Sequence, residues 1–364
     1  MIQVSHLVEA MERIAPTRFA EGWDNVGLLT GDPRREIHRI LLTIDYTQTV
    51  DAEGQQKQCD VVVAYHPPIF QPLNRLLAGS VVFDAISRGV AIYSPHTALD
   101  VAEGGTNDLL ADVLGLENRI PLRRLEPKAN QLKLVTFVPR DHLDSVSDAL
   151  FNAGAGQIGN YSHCSFRSAG MGTFFGHQST NPAIGQRGQL EQVDEVRLET
   201  VVPISRIQSI LSALKTAHPY EEPAFDLLQL APPPENKGQG RIGNFKPTDR
   251  RQVIDRIKNE LGLNHVLVAG PTTGTITRAA VCAGSCGDLL QDARNQNAQL
   301  YLSGEMRHHD ALSAAQDGMT IVCTLHSNSE RAILKRLQQK LLQELPGIKA
   351  ECSQYDTDPF QVYS

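Results

Sequence analysis

The sequence predicts an α/β protein in which a split α/β metal-binding domain is interrupted by a ferredoxin-like α+β insert. Three observations carry that prediction. Short β-branched runs alternate with amphipathic stretches over the first ~130 residues, as in a parallel-sheet unit. From Leu132 the pattern turns strand-rich, and after the Pro- and Gly-rich segment APPPENKGQGRIG the strand–helix alternation resumes.

Taken in order, VSHLVEAMERIAP is amphipathic and stops at Pro16. IHRILLTIDYT, CDVVVAYHPP and GVAIYSPHT are short apolar runs ending in polar or turn residues, as buried strands feeding a functional edge do. NRLLAGSVVFDAISRG, between the last two, fits a crossover helix. Then LKLVTFVP reads as a strand, DHLDSVSDALFNAG as a helix, YSHCSFRS and GMGTFFG as two strands, and EVRLETVVP as another. SRIQSILSALKTAH is a second helix and FDLLQL a last strand. Two helices among strands in this order make a split-βαβ sandwich. VIDRIKNELGL, AAVCAGSCGDLLQDARNQN, LYLSGEMRHHDALSAAQDG and MTIVCTLHSNSERAILKRLQQKLLQEL return to strand–helix alternation. The expected layout is residues 1–130 and 233–364 as the two halves of one domain, with residues 131–232 inserted.

The 364 residues, 41% hydrophobic and 21% charged, are enough for sizeable cores and too apolar for a disordered chain. Thirty-four Lys and Arg stand against 41 Asp and Glu, a formal charge of -7, and the basic residues are scattered. That balance gives no support to a nucleic-acid partner. The N-terminus has Glu9, Glu12 and Glu21 where a transit peptide avoids acids, and no run of 18 apolar residues occurs to span a membrane. Six thinly spread cysteines do not make a disulfide framework, so the expectation is a cytoplasmic protein with reduced thiols.

Strand ends hold the chemistry. His66 follows VVVAY and precedes Pro67-Pro68, at the carboxyl edge where α/β proteins place ligands. His96 follows AIYSP, with Asp100 four residues on; His326 follows TIVCTL, with Glu330 four residues on. Imidazole nitrogen and carboxylate oxygen suit zinc, manganese, iron or a similar ion, and a carboxylate can bridge two. The competing reading is a capping box, Ser327 or Asn328 with Glu330, and a histidine that merely ends a strand. His6, His38, His142, His163, His177 and His265 lack patterned acidic neighbours and read as surface or locally bonded residues.

Other clusters are less patterned. Arg307, His308 and His309 follow the strand AQLYL in an acidic, histidine-bearing turn, a candidate anionic-substrate contact. Adjacent helical histidines point about 100° apart and rarely share one metal. Gly284-Ser285-Cys286-Gly287-Asp288 opens a helix after a strand and is a phosphate-cradle candidate, though without the Gly-Lys-Ser/Thr of a Walker loop. Trp23-Asp24-Asn25, around the only tryptophan, reads first as a structural turn.

WDNVGLLTGDP, VVVAYHPPIF, YSPHTALDVAEGGTNDLLADVLGL, AGSCGDLL, SGEMRHHDAL and HSNSER together resemble the NGG-interacting-factor-three-like family, whose bacterial members are often labelled GTP cyclohydrolase 1 type 2 homologs. GAGQIGNYSHCSFRSAGMGTFF and HPYEEPAFDLL are similar to the PII/CutA-like module of its longer members. The resemblance implies a two-metal site on the inner surface of a ring-shaped homohexamer. It places His66, a bridging Asp100, His326 and Glu330 as ligands, and His96 as a ligand or a partner of one. Many members have a histidine where this chain has Tyr65; a phenol ligates zinc or manganese poorly, which implies one or two ions per chain.

The resemblance further implies metal-dependent hydrolysis of a nucleotide, with GTP ring opening the named candidate. Catalytic residues beyond the metal set are not assigned. Two other functions stand beside it: a non-catalytic metal-binding assembly or sensor, and a phosphoesterase acting on another nucleotide.

Overall fold

The computed structural model describes residues 1–125, 130–231 and 236–361. Its chain divides into two units, Met1–Leu125 with Glu235–Ser364, and Glu126–Pro234. The expected boundary between residues 232 and 233 lies outside the described residues.

In the first unit two mixed sheets are built. Strands Gly27–Thr30, Ala91–Ser94, Val61–Ala64, Arg39–Thr43 and Lys349–Cys352 lie side by side in that order, all neighbours parallel except the first pair. The second sheet runs Leu267–Ala269, Thr320–Cys323, Leu300–Glu305, Thr275–Ser285, Arg241–Asp249 and Glu117–Ile120, with its three long central neighbours parallel. Both sheets therefore have parallel strands whose carboxyl ends deliver turns to one edge, the arrangement that makes binding sites in open α/β folds.

Strand periodicity sorts the side chains. Ala279, Val281 and Ala283 face one core together with Leu300, Leu302, Ile40, Leu42 and Val63. Ala280, Cys282, Tyr301 and Ile321 face a second core against Leu289, Leu290 and Ala293. The first core also takes Leu7 and Met11, Leu110 and Leu114, and Leu334, Leu337 and Leu341 from three helices, Val4–Ile14, Thr106–Leu114 and Ile333–Glu344. Each fully buried Leu or Ile contributes roughly 1.5–3 kcal/mol. Buried Arg241 ties the chain after Asp100 to this body: its Nε donates to Asp108 Oδ1 at 2.6 Å, and its guanidinium also reaches the carbonyls of Val101, Gly238 and Gly240.

The second unit has the chain order strand, helix, two strands, helix, strand. Its antiparallel sheet runs Phe225–Gln229, Gln131–Pro139, Leu190–Pro203, Ser165–Phe175. Helices Leu143–Asn152 and Ile207–Ala217 supply Val146, Leu150, Ile210 and Leu214 to a core with Leu134, Val138, Leu198 and Val202.

Two elements differ from the sequence reading. The crossover helix is confined to Val81–Ser87, because Gly79 adopts φ +89°, incompatible with a helix, and Ser80 Oγ caps the new start by accepting from Phe83 N at 3.3 Å. YSHCSFRS and GMGTFFG form one strand, Ser165–Phe175, since Gly170 and Gly172 stay extended and pair with Glu195 and Val193.

Candidate functional site

The turns after the parallel strands bring His66, His326 and Glu330 together: one donor atom from each lies within 4.8 Å of the others. His66 follows Val61–Ala64 in one sheet, whereas His326 and Glu330 occupy the helix His326–Arg331 after Thr320–Cys323 in the other. The i,i+4 spacing sets His326 Nε2 3.5 Å from Glu330 Oε1 on one helix face. His96 completes a row of rings: the His66 centroid lies 5.4 Å from that of His96 and 5.3 Å from that of His326.

Each of these histidines meets a carboxylate at Nδ1. Asp45 Oδ1 is 2.9 Å from His66, Asp24 Oδ1 is 2.7 Å from His96, and Glu305 Oε1 is 2.7 Å from His326. With the acid ionised, Nδ1–H donates and Nε2 presents its lone pair, the orientation by which proteins hold metal-ligating imidazoles. For two of the pairs the register explains the meeting. Thr43 pairs with Ala64 and Ser303 with Cys323, so continuing each parallel ladder brings Asp45 beside His66 and Glu305 beside the turn at His326.

Glu330 is the buried member, with a side chain 3% exposed. Its Oε2 sits 3.0 Å from His66 Nε2, yet neither atom has an aligned hydrogen-bond partner among the described residues. With the imidazole neutral, these two facing atoms offer lone pairs to a cation; without one, the proton that His66 retains lies between them. Glycine is obligatory behind them. A Cβ on Gly284, which has φ +69°, would stand 2.9 Å from Glu330 Oε1, and one on Gly304 would stand 2.7 Å from Gly284 O. Strain gathers here too: His96 has φ +29° and Leu325, just before His326, has φ +71°.

The electrostatics point the same way. Burial raises the Asp100 carboxyl and the charge of Glu330 raises it further, to about 7, despite the hydrogen bond it accepts from Tyr65 Oη. Burial lowers the His66 imidazole, but the carboxylates of Asp45 and Glu330 outweigh it and push the ring up to about 10. Asp24 is raised by burial and lowered more by His96 and Thr97, ending below the usual carboxylate range. Acids crowded in this way are relieved by positive charge.

Residues 2–359 match the family described as Duf34/NIF3 (NGG1p interacting factor 3). The chain belongs to the NIF3 family. The relative named "GTP cyclohydrolase 1 type 2 homolog" from Halalkalibacterium halodurans is 35% identical over 365 residues, covering 97% of both chains. Its namesake in Bacillus subtilis is 33% identical over 362 residues, again with 97% coverage of both. Among solved structures, a Bacillus cereus protein related to NIF3 is similar with a TM-score of 0.67 and 34% identity, covering 100% of this chain and 99% of that one. A Staphylococcus aureus protein, SA1388, reaches a TM-score of 0.79 at 27% identity with the same coverage.

Within this NIF3 chain the remaining candidates separate. Asp100 lies beside the cluster, linked through Tyr65, rather than within the group of three converging atoms. Tyr65 is 1% exposed; burial first, then Asp100 and Glu330, hold its phenol well above the usual value, so it stays protonated, with Thr106 Oγ1 3.0 Å away. Arg307, His308 and His309 are exposed at the start of the helix His308–Gln316, two to four residues beyond Glu305, and are not drawn into the cluster. The phosphate-cradle candidate is replaced by a buttress: Gly284 N donates to Ser329 Oγ, Asp288 pairs with Arg123, and the following helix, Leu290–Asn295, has six residues. Sequence reasoning missed the pairing of Asp24, Asp45 and Glu305 with the histidines.

A groove of about 760 Å³ lies elsewhere, in the second unit, lined by Phe137, Met171, Phe174, Glu195, Arg197 and Tyr220. None of the histidine cluster lines it. Among the described residues no helix is long and apolar enough to cross a membrane.

Proposed function

We propose that this protein is a divalent-metal-dependent hydrolase acting on a nucleotide, with GTP the first candidate. The observation that carries the metal is the convergence of His66, His326 and Glu330, with His66 Nε2 and Glu330 Oε2 facing each other at 3.0 Å. His66, His326 and Glu330 hold one ion, and Asp100 with His96 extends the set towards a second, so that one or two zinc, manganese or iron ions bind per chain. A bound ion of this kind activates water and polarises an oxygen or nitrogen of the substrate. The residues themselves orient the imidazoles through Asp24, Asp45 and Glu305 and hold a protonated phenol against Asp100.

The nucleotide assignment draws on the names carried by the curated relatives. The strand order of the second unit, with both helices contributing to one core, supports reading residues 131–232 as a ferredoxin-like, PII/CutA-like insert. A homohexamer is the proposed assembly.

Metal content by mass spectrometry, coupled to a nucleotide panel, tests the reading. Wild-type protein is expected to carry zinc, manganese or iron, Glu330→Gln and His66→Ala to carry none, and Asp100→Ala to carry less than wild type. Chromatography should then show conversion of GTP in the presence of metal. Metal binding without turnover across the panel would assign a non-catalytic metal-binding or sensor role; release of phosphate from another nucleotide would assign a phosphoesterase.

A further inference from the structure

We propose that Trp23 and Phe70 form a stacking platform for the base of a nucleotide whose phosphates face the histidine–carboxylate cluster. This deepens the nucleotide reading above and rests on it, in the form in which the metal-activated water attacks a phosphate rather than the purine ring. Both rings are open to water, Trp23 being 59% and Phe70 45% exposed. They adjoin each other, with centroids 5.8 Å apart and planes tilted by 52°. Hydrating that much apolar ring surface is unfavourable.

The rings are nonetheless held in place. Asp24, the neighbour of Trp23, accepts from His96 Nδ1, from Thr97 N at 3.2 Å and from Thr97 Oγ1. Glu21 N donates to Thr97 Oγ1 at 3.1 Å, fixing the other side of the turn. Asn25 Nδ2 donates to the carbonyl of Ile69 at 2.6 Å, which fastens the segment bearing Phe70 to the segment bearing Trp23. An aromatic surface on so braced a turn loses little conformational freedom when a ligand settles on it.

Position makes this a subsite rather than a stray patch. The indole meets His96 edge-on at 6.0 Å, and His96 meets His66 at 5.4 Å, so two ring-to-ring steps connect the platform to the cluster. Asp24 serves both ends, since the carboxylate that orients His96 also anchors the tryptophan turn. A neutral π-face beside a cation-binding cluster matches a ligand with a planar heteroaromatic ring at one end and anionic oxygens at the other. Stacking recognises any base, because every base has a π-face, and the larger purine face gains more.

Trp23 is the only tryptophan, so the intrinsic indole emission of the full-length protein reports this position alone. Titrating the zinc-loaded protein with GMP should quench that emission to saturation. Tripolyphosphate, which has the charge but no base, should leave it unchanged. By calorimetry Trp23→Ala should weaken GMP about tenfold or more, the size of one base–aromatic stack, while Trp23→Phe keeps most of the affinity. Zinc stoichiometry and tripolyphosphate affinity should be the same in all three proteins.

Absence of saturable quenching by GMP overturns the proposal, as does an equal weakening of GMP and tripolyphosphate in Trp23→Ala. A Trp23→Ala protein with a smaller mass by light scattering and unaltered GMP affinity would instead make the patch an interface with a second copy of this chain. Should the wild type bind no zinc, the metal-dependent reading falls; the response of the same emission to GMP alone then still decides the platform.

Discussion

Replacing Asp45 by Asn should weaken zinc binding without unfolding the protein. Asp45 Oδ1 is 2.9 Å from His66 Nδ1, and the opposite ring nitrogen faces Glu330 Oε2 at 3.0 Å, so one carboxylate fixes both the tautomer and the direction of the lone pair. An Asn carbonyl can still accept from Nδ1–H, so Asp45→Asn removes the charge and keeps the alignment. Asp45→Ala removes both. Losing such an outer partner typically costs 10–100-fold in metal affinity, about 1.4–2.8 kcal/mol, and the Asn variant belongs near the lower figure and the Ala variant near the upper. Competition against a chromophoric chelator at neutral pH reads the zinc affinity, and far-UV circular dichroism checks the fold. Asp60→Asn is the control, because Asp60 accepts from the backbone of His38 and Arg39 and no histidine of the cluster. Zinc affinities within twofold of wild type for both Asp45 variants, while His66→Ala loses the ion, would refute orientation by Asp45. Wild-type zinc affinity in His66→Ala would remove the cluster itself as the metal site.

Further outcomes follow from other contacts. Tyr65→His should raise zinc stoichiometry towards two per chain, since the buried phenol keeps its proton in a hydrogen bond to Asp100 whereas imidazole offers a lone pair; calorimetry that finds two equally tight sites in the wild type contradicts this. Arg241→Met should destabilise the first unit by about 3 kcal/mol in urea unfolding, because buried Asp108 then keeps only Arg119, at 3.7 Å, as a cation, and Asp108→Asn added to it should recover part of the loss. His218 titrates with a defined sign. Burial lowers its imidazole below 6.5 against the opposing bond to Phe137 O and the charge of Glu195, with His142 adding to the lowering. Its Nδ1 must stay unprotonated to accept from Tyr220 N at 3.1 Å while Nε2 donates to Phe137 O. The folded state therefore binds fewer protons, and the stability of the second unit is full above pH 6.5 and falls as pH drops through the lowered value. Hydrogen exchange of the Gln131–Pro139 strand should show that acid loss in the wild type and a flatter profile in His218→Gln.

The alternation of strands and helices was readable from β-branched runs, and the family from six ordered motifs, because both signals are local. The strand-end positions of His66 and His326 were readable for the same reason. Their acidic partners were not. Asp45 and His66 are 21 residues apart, Glu305 and His326 another 21, and Asp24 and His96 are 72 apart. Each meeting depends on which strands become neighbours and in what register, which periodicity within one segment does not encode. The surroundings of Tyr65 were not readable either. Its place in the motif suggested a poor ligand, and the structure adds what the motif does not show, full burial and a hydrogen bond donated to Asp100. Gly284 read as a phosphate cradle because a glycine turn before a helix looks alike in both uses, and only the closeness of Glu330 tells them apart.

The strand Lys349–Cys352 closes the first sheet by pairing in parallel with Arg39–Thr43. A ribosome making this chain releases Arg39–Thr43 about 300 residues before Lys349–Cys352, on the order of 15 to 60 s apart at ordinary elongation rates. Through that interval the nascent first half holds His66 and His96 without His326 or Glu330, and its sheet has an open edge at Arg39–Thr43. The cluster is thereby completed only after residues 326–330 have been made. A message truncated before codon 326 yields a chain with half of the cluster and an uncapped sheet, a species for chaperones and proteases rather than a partly working protein.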